Sequence, residues 1–420
     1  MIFSVKWAGN DSMSLQTNHR WTFGPRFRKN AFGWRSQPAI LRIREALSEI
    51  KKTARKNPIL GAEGSVLFLE KISAAIANVD GSSGAIGAEV NAAVDVLAPI
   101  IAGAPADEAL RGKWLDRLWQ AVESDAYSYI DQLPDRWGEL CASPETASIW
   151  ADSFIDTVRM IWSGDRNRGE FFNGSAACLS ALYTAGRFKE ILDLVDSAPF
   201  QSWTYRKWGV KALASMGEKT EAFQFAENSL GLNVNPVFIA EACEEILLSM
   251  GQTEEAYRKY SFAANRKSTY LATFRAVASK YPDRTPSGIL RDLVAATPGE
   301  EGKWFAAAKS AGLYKEAIAL ANRTPCDPKT LTRAARDLTE TEPRFALEAG
   351  LAALRWIAEG YGYEITGSDV REAHDRTMRA AEIIGCRENV LNRIRQLAAK
   401  NSDGGRILAA ILRQDQRGMG

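Results

Sequence analysis

The chain has 420 residues, of which 46% are hydrophobic and 25% charged, with a net charge of +2. That length holds two or three compact domains or one long repeat array, and the composition is that of a soluble folded chain. The near-zero net charge makes no claim about partners, but its distribution does. Residues 1–60 carry 12 Lys and Arg against 3 Asp and Glu, net +9, which leaves −7 for the remainder. A basic front end on a mildly acidic body implies either docking within the chain or an acidic partner.

The N-terminus shows no signal-peptide pattern after MIFSVKWAGND, and no 18-residue run is wholly apolar. Residues 1–12 match nothing that follows, and Met13 would serve as a translation start. Residues 1–35 form a basic, aromatic arm without helical period. Arg20, Arg26, Arg28, Lys29 and Arg35 interleave there with Trp21, Phe23, Phe27, Phe32 and Trp34.

Helical period starts at Ser36, where Ser36 reads as a cap and Pro38 fits the first turn. Ile40, Ile43, Leu47 and Ile50 share a face, and Asn57–Pro58 ends that helix. Further helices are predicted over Ser65–Val79, up to Ala102, and over Asp107–Ser124, Tyr127–Ala142 and Pro144–Trp162. DGSSG (Asp80–Gly84) reads as a turn, and Ser143 with Pro144 as a start signal. Ala85 to Ala102 carries Glu89 and Asp95, so it reads as a core helix and no membrane partner is expected. Residues 36–163 are thus an N-terminal helical region.

From residue 164 to 322 the sequence is punctuated by one phrase. GRFKEI begins at Gly186, GEKTEA at Gly217, GQTEEA at Gly251 and GLYKEA at Gly312, at spacings of 31, 34 and 61 residues. The double spacing contains KYPDRTP, where Pro282 and Pro286 replace the glycine as helix breakers, giving five turns. Gly closes a first helix, Glu at the fifth place meets the positive end of the second, and the small or branched sixth residue lets the two approach. A period near 34 is that of a helix–turn–helix repeat. These residues resemble the tetratricopeptide repeat family over about 170–322, without most of its first-helix Trp-Leu-Gly-Tyr positions. The broader chain is similar, in FGWRSQPAI (Phe32–Ile40), DGSSGAIG (Asp80–Gly87) and PGEEGKWFAAAKSAGLYKEAIALA (Pro298–Ala321), to an uncharacterised bacterial family with such repeats. The resemblance implies an all-α, right-handed α-solenoid and no catalytic residue.

Residues 323–420 read as a C-terminal helical region. Asp327 caps one helix, Arg344–Glu359 forms another, Ser368 or Asp369 caps a third to about Ile384, Arg387–Lys400 follows, and the tail is a short helix.

Chemistry is sparse. His19 and His374 are the two histidines, His374 on an exposed helix face. The five cysteines (Cys141, Cys178, Cys243, Cys326 and Cys386) show no C-x-x-C spacing and read as reduced, mostly buried thiols of a cytoplasmic protein. GEEGKW (Gly299–Trp304) has the wrong spacing for a phosphate loop, and GSSGAIG (Gly81–Gly87) reads as a packing turn. Glu244–Glu245 and Glu254–Glu255 read as solvated pairs. No catalytic, cofactor-binding or metal residue is assigned, and no cofactor is expected.

Two binding surfaces remain. WTYRKW begins a first helix, and its Trp203, Tyr205, Arg206 and Trp208 are candidates for a peptide surface or for inter-repeat core. Arg26, Arg28, Lys29, Trp34 and Arg35 suit phosphate contact with base stacking, whereas five aromatics within 21–34 favour docking of the arm on the body. The expected function is a non-catalytic scaffold for a protein or peptide partner. The alternative is a nucleic-acid-binding protein using the arm and first helix.

Overall fold

The structure, a computed structural model, describes residues 19–163, 172–199, 201–231, 234–400 and 402–418. The alternative start at Met13, residues 1–12 and the first stretch of the arm lie outside these residues. Regular structure among the described residues is entirely helical, with no strand. The chain divides into two compact units, one ending at Asn235 and one beginning at Pro236. Each has its own apolar core. The division falls inside the punctuated segment 164–322, between its second and third phrases.

The first unit contains α1 (Ser36–Ala54), α2 (Pro58–Ile76), α3 (Ala85–Ala102), α4 (Glu108–Ser124), α5 (Trp137–Cys141) and α6 (Pro144–Trp162). It continues with the pairs α7 (Gly174–Thr184) with α8 (Phe188–Ser197), and α9 (Trp203–Ser215) with α10 (Lys219–Glu227). The second unit contains α11 (Pro236–Ser249), α12 (Thr253–Ala264), α13 (Tyr270–Lys280), α14 (Pro286–Ala295), α15 (Phe305–Ser310), α16 (Tyr314–Arg323), α17 (Pro328–Leu338) and α18 (Pro343–Ala358). It closes with α19 (Gly367–Ile384), α20 (Arg387–Ala398) and α21 (Asp403–Gly418).

Several boundaries differ from the sequence reading. Asn57 does not only stop α1; its side chain accepts the Leu60 N–H at 3.0 Å, so α2 starts seven residues earlier than Ser65. Ser36 lies inside α1 and forms no cap bond. The predicted helix 127–142 is broken, because Pro134 opens a 3₁₀ turn and only Trp137–Cys141 is α-helical. The cap of α19 is Thr366, which exchanges bonds with Asp369 in a capping box, not Ser368 or Asp369. Ser143 and Asp327 cap α6 and α17 as read.

The four phrases fold alike. Gly186, Gly217, Gly251 and Gly312 have φ of +73°, +90°, +75° and +73°. The residues that follow, Arg187, Glu218, Gln252 and Leu313, have φ/ψ of −84°/54°, −81°/57°, −85°/52° and −86°/63°. Each donates its N–H five residues back, to Leu182, Leu213, Leu247 and Ala308, at 2.9, 3.0, 2.9 and 3.0 Å. This is the Schellman closure of a helix end, and it demands a left-handed residue that glycine supplies without a Cβ clash. The fifth-place Glu190, Glu221, Glu255 and Glu316 lie in the first turn of the next helix, and the sixth-place Ile191, Ala222, Ala256 and Ala317 are fully buried. Gly360 and Gly385 close α18 and α19 in the same way, through Tyr361 to Trp356 and Cys386 to Ala381, both 2.9 Å. The fifth turn spans Tyr281 to Thr285, and Thr285 caps α14.

Other helix ends are closed by tertiary donors. The last turn of α2 receives N–H groups from the arm, Asn30 to Ala74 O at 2.9 Å and Phe32 to Ala75 O at 3.4 Å. Buried Arg111 of α4 donates to Ala102 O at 3.3 Å and Ala104 O at 2.7 Å, at the end of α3. Trp356 Nε1 donates to Ala321 O in the last turn of α16 at 2.8 Å. These donors satisfy carbonyls that no helix can satisfy itself.

The arm is docked on α1 and α2. Phe23, Phe27 and Phe32 are buried; Phe23 and Phe27 lie 6.0 and 5.3 Å from Phe68 of α2, and Phe27 lies 5.3 Å from Phe32, centroid to centroid. Trp21 seats on Gly64, where a Cβ would lie 2.2 Å from the indole. Helix α3 is long and apolar enough to cross a membrane, and here it packs on α1 and α2. Its two carboxylates are paired, Glu89 with Arg44 at 2.7 Å and Asp95 with Arg136 at 2.8 Å.

Two substitutions test these points. Gly312→Ala meets no atom within 4 Å, so its cost is conformational, about 1 kcal/mol, read as a lower urea midpoint. Gly64→Ala displaces Trp21 and undocks the arm, read as faster tryptic cleavage after Arg26 and Arg28 with fragment masses.

Candidate functional site

The WTYRKW cluster is largely spent on packing. Trp208 is buried, 5.6 Å from the Tyr183 ring of α7. Tyr205 lies 4.9 Å from Trp162 of α6. Arg206 covers the Phe225 ring of α10 at 3.9 Å and donates to Ser229 Oγ at 2.6 Å. Trp203 is half-buried at the start of α9.

The arm separates its aromatics from its cations. Its four other aromatics in 21–32 are buried, whereas Trp34 is 71% exposed. Arg26 pairs with Glu45 of α1 at 3.2 Å. Glu49 of α1 accepts Thr22 N at 2.8 Å and Phe23 N at 3.2 Å. Docking therefore occupies both carboxylates of α1. Arg28, Lys29, Arg35, Lys51, Lys52 and Arg55 stay exposed without a carboxylate partner among the described residues.

In the second unit a groove of about 810 Å³ runs across the first helices of three successive pairs, α13, α15 and α17. Its apolar floor includes Leu271, Phe305 and Cys326. Burial pushes the Cys326 thiol up to about 12. One cation comes from each helix: Arg275, Lys309 and Arg333. Arg275 reaches Ser310 Oγ at 3.2 Å, and Arg333 reaches Thr330 Oγ1 at 3.1 Å. None of the three has a carboxylate partner among the described residues. The acids of the wall are engaged: Asp327 accepts Thr330 N–H at 3.0 Å as the cap of α17, and Asp337 pairs with Arg336 at 3.0 Å. Lys303 is paired with Glu300 at 2.5 Å. The GEEGKW stretch thus forms a turn at one wall, with Gly302 N–H donating to Thr324 Oγ1 at 2.7 Å.

Glu244 overturns the reading of Glu244–Glu245 as a solvated pair. It is fully buried at the border of the apolar face of α11. Its carboxylate accepts Tyr281 OH at 2.6 Å, Asn265 Nδ2 at 2.8 Å and Lys280 Nζ at 2.6 Å. Tyr281 stands edge-on to Tyr257, 5.0 Å between centroids, and Tyr257 OH donates to Asp292 Oδ2 at 3.0 Å. The carboxylate is fully supplied with donors, so it locks α11, α12 and α13 together. Burial, then the bond to Asp292, pushes the Tyr257 hydroxyl up to about 12, and burial with the Glu244 bond raises Tyr281 further.

His374 is buried in α19, with Nδ1 3.1 Å from Asp375 Oδ1, and not on an exposed face. Exposed His19 lies edge-on to Trp21, 4.5 Å between ring centroids. Among the described residues no group of three or more His, Cys, Asp or Glu is placed to hold a metal ion. No family model matches the chain, and no curated protein matches it significantly.

The sequence reading missed the groove because its cations lie 34 and 24 residues apart, each inside an ordinary helix. The available signal was positional for Arg275 and Lys309, which sit on first helices of the punctuated segment, whereas Arg333 lies beyond it on α17. The tyrosine network gives a pH prediction. Folded pKa values above the unfolded value of about 10 stabilise the protein below pH 10 and lose that contribution as pH rises through the folded values. Stability of the wild type therefore falls from about pH 10 to 12 more steeply than that of Tyr257→Phe, measured by urea denaturation across that range. Tyr281→Phe removes a bond to a buried charge and costs about 2 kcal/mol at neutral pH.

Proposed function

We propose that the chain is a non-catalytic, cytoplasmic scaffold built from tetratricopeptide-like helix pairs in right-handed α-solenoid order, which binds an extended segment of a protein partner. The tetratricopeptide likeness is supported by four turns of one backbone geometry at spacings of 31, 34 and 61 residues, each followed by a buried small or branched residue. Placement in a reducing compartment is supported by five free thiols, four of them buried.

The observation that carries the binding reading is the groove over α13, α15 and α17. Successive first helices of a repeat array form its extended recognition surface, and each repeat adds one set of side chains to it. The groove offers an apolar floor with one uncompensated cation per helix. An extended acidic segment matches that pattern, with apolar side chains on the floor and carboxylates along the cations.

The test is affinity purification with the full chain, side by side with Arg275→Glu, Lys309→Glu and Arg333→Glu combined. The wild type recovers a defined partner, and the triple variant loses it at least tenfold while keeping its thermal midpoint. Undiminished recovery by the triple variant sinks the groove reading. Undiminished recovery coupled with loss on Trp203→Ala moves the site to the 203–208 cluster.

A further inference from the structure

We propose that the arm and α1 of the first unit form a binding surface for single-stranded nucleic acid, independent of the groove in the second unit. The starting observation is selective exposure. Trp21, Phe23, Phe27 and Phe32 are at most 6% exposed, but Trp34, in the same arm, is 71% exposed. Its backbone is fixed on both sides. Phe32 N–H is bonded to Ala75 O at 3.4 Å, and Trp34 O accepts Asp80 N–H at 2.9 Å. The indole therefore projects into water from a held position, and a large ring ordered in advance loses little freedom when a base stacks on it.

The charges around it are equally selective. Glu45 and Glu49, the carboxylates of α1, are taken by Arg26, Thr22 and Phe23 of the arm, and Arg44 is taken by Glu89 of α3. The cations exposed without a carboxylate partner among the described residues are Arg28, Lys29 and Arg35, in the same arm as Trp34, and Lys51, Lys52 and Arg55 at the C-terminal end of α1, while Glu45 stays 62% exposed in its pair with Arg26. Docking the arm thus engages the two acids of α1 and leaves these cations available, while beside Trp34 the Asp80 carboxylate accepts Ser82 N–H at 3.0 Å. Arg42 lies over the Phe32 ring at 5.5 Å, which ties the helix cations to the aromatic floor of the arm.

A stacking ring with flanking cations and a basic track fits a phosphodiester chain with unpaired bases. A base inside a duplex offers its face to neighbouring bases, so Trp34 selects single strands. An anionic membrane is matched less well. Among the described residues of the arm and α1, Trp34 and Leu41 are the large apolar side chains exposed, too few for an apolar face that inserts.

The probe is a fluorescently labelled oligothymidylate or oligouridylate of about 20 nucleotides, titrated by polarisation against the full chain from about 50 to 300 mM salt. Binding is expected at low salt, with a log–log salt slope of about −4 for six phosphate contacts. Arg28→Glu, Lys29→Glu and Arg35→Glu combined abolish it. Trp34→Ala weakens it roughly tenfold to hundredfold with little change in slope, which separates stacking from charge. Lys51→Glu, Lys52→Glu and Arg55→Glu reduce the slope. All these side chains are exposed, so an unchanged thermal midpoint certifies each variant's fold. No binding at low salt overturns the proposal, as does undiminished binding by the first triple variant or by Trp34→Ala. Displacement of the oligonucleotide by polyglutamate or by phosphatidylserine vesicles at equal charge concentration also overturns it in favour of a general polyanion surface. The Arg275/Lys309/Arg333 variant should bind the oligonucleotide like the wild type.

Discussion

The carbonyl groups at the end of a helix have no partner within that helix, and a protein made almost wholly of short helices meets this constraint at every turn. Three chemistries answer it here. A left-handed glycine folds the chain back so that the next N–H closes the last turn, at Gly186, Gly217, Gly251, Gly312, Gly360 and Gly385. The arm lends its own N–H groups to the end of α2. Arg111 and Trp356 bring side-chain donors to α3 and α16. The first answer is local and brings the next helix back at once, so it generates pairs. Arg111 ties α4 to the helix just before it, and the arm and Trp356 act between elements far apart in sequence, so these generate packing beyond the pair.

The local answer was legible in the sequence, since glycine, two or three polar residues, glutamate and a small residue carry the geometry in six letters. The tertiary answers were not. Arg111 looks like any arginine in an amphipathic helix, and the donors of the arm are backbone groups that have no signature. Glu244 was misread for a related reason. Its neighbours Cys243, Ile246 and Leu247 mark the buried face of α11, and Glu244 lies just beyond its edge, where burial depends on whether Tyr281 and Lys280 arrive. The same dependence hid His374. The start of α2 was misplaced because Asn57–Pro58 is both an end and a beginning, and period alone does not distinguish them. The groove was hidden because its residues converge only when successive pairs stack.

The basic front end of the chain divides its residues, with aromatics that dock and cations that stay exposed. Docking within the chain and an acidic partner looked like alternatives, and the docked arm makes them compatible. Aromatic burial supplies the adhesion, a term of the order of 2 kcal/mol for each ring removed from water. The ion pairs at Arg26 and Arg44 add little at such exposure, but they decide which charges stay uncovered. The excess of exposed cations thus follows in part from the engagement of the two α1 carboxylates by the arm.

Trp34 carries a further, optical consequence. Among the described residues, the other tryptophans are buried or, at Trp203, half-buried, so Trp34 alone emits from a water-exposed ring. Its cationic surroundings concentrate small anions near it. Iodide therefore reaches that indole more readily than caesium does, and among the described tryptophans the difference between the two quenchers isolates the emission of Trp34 from the rest. The arm's state of docking thus has an intrinsic fluorescence signature, which needs no label and no known ligand.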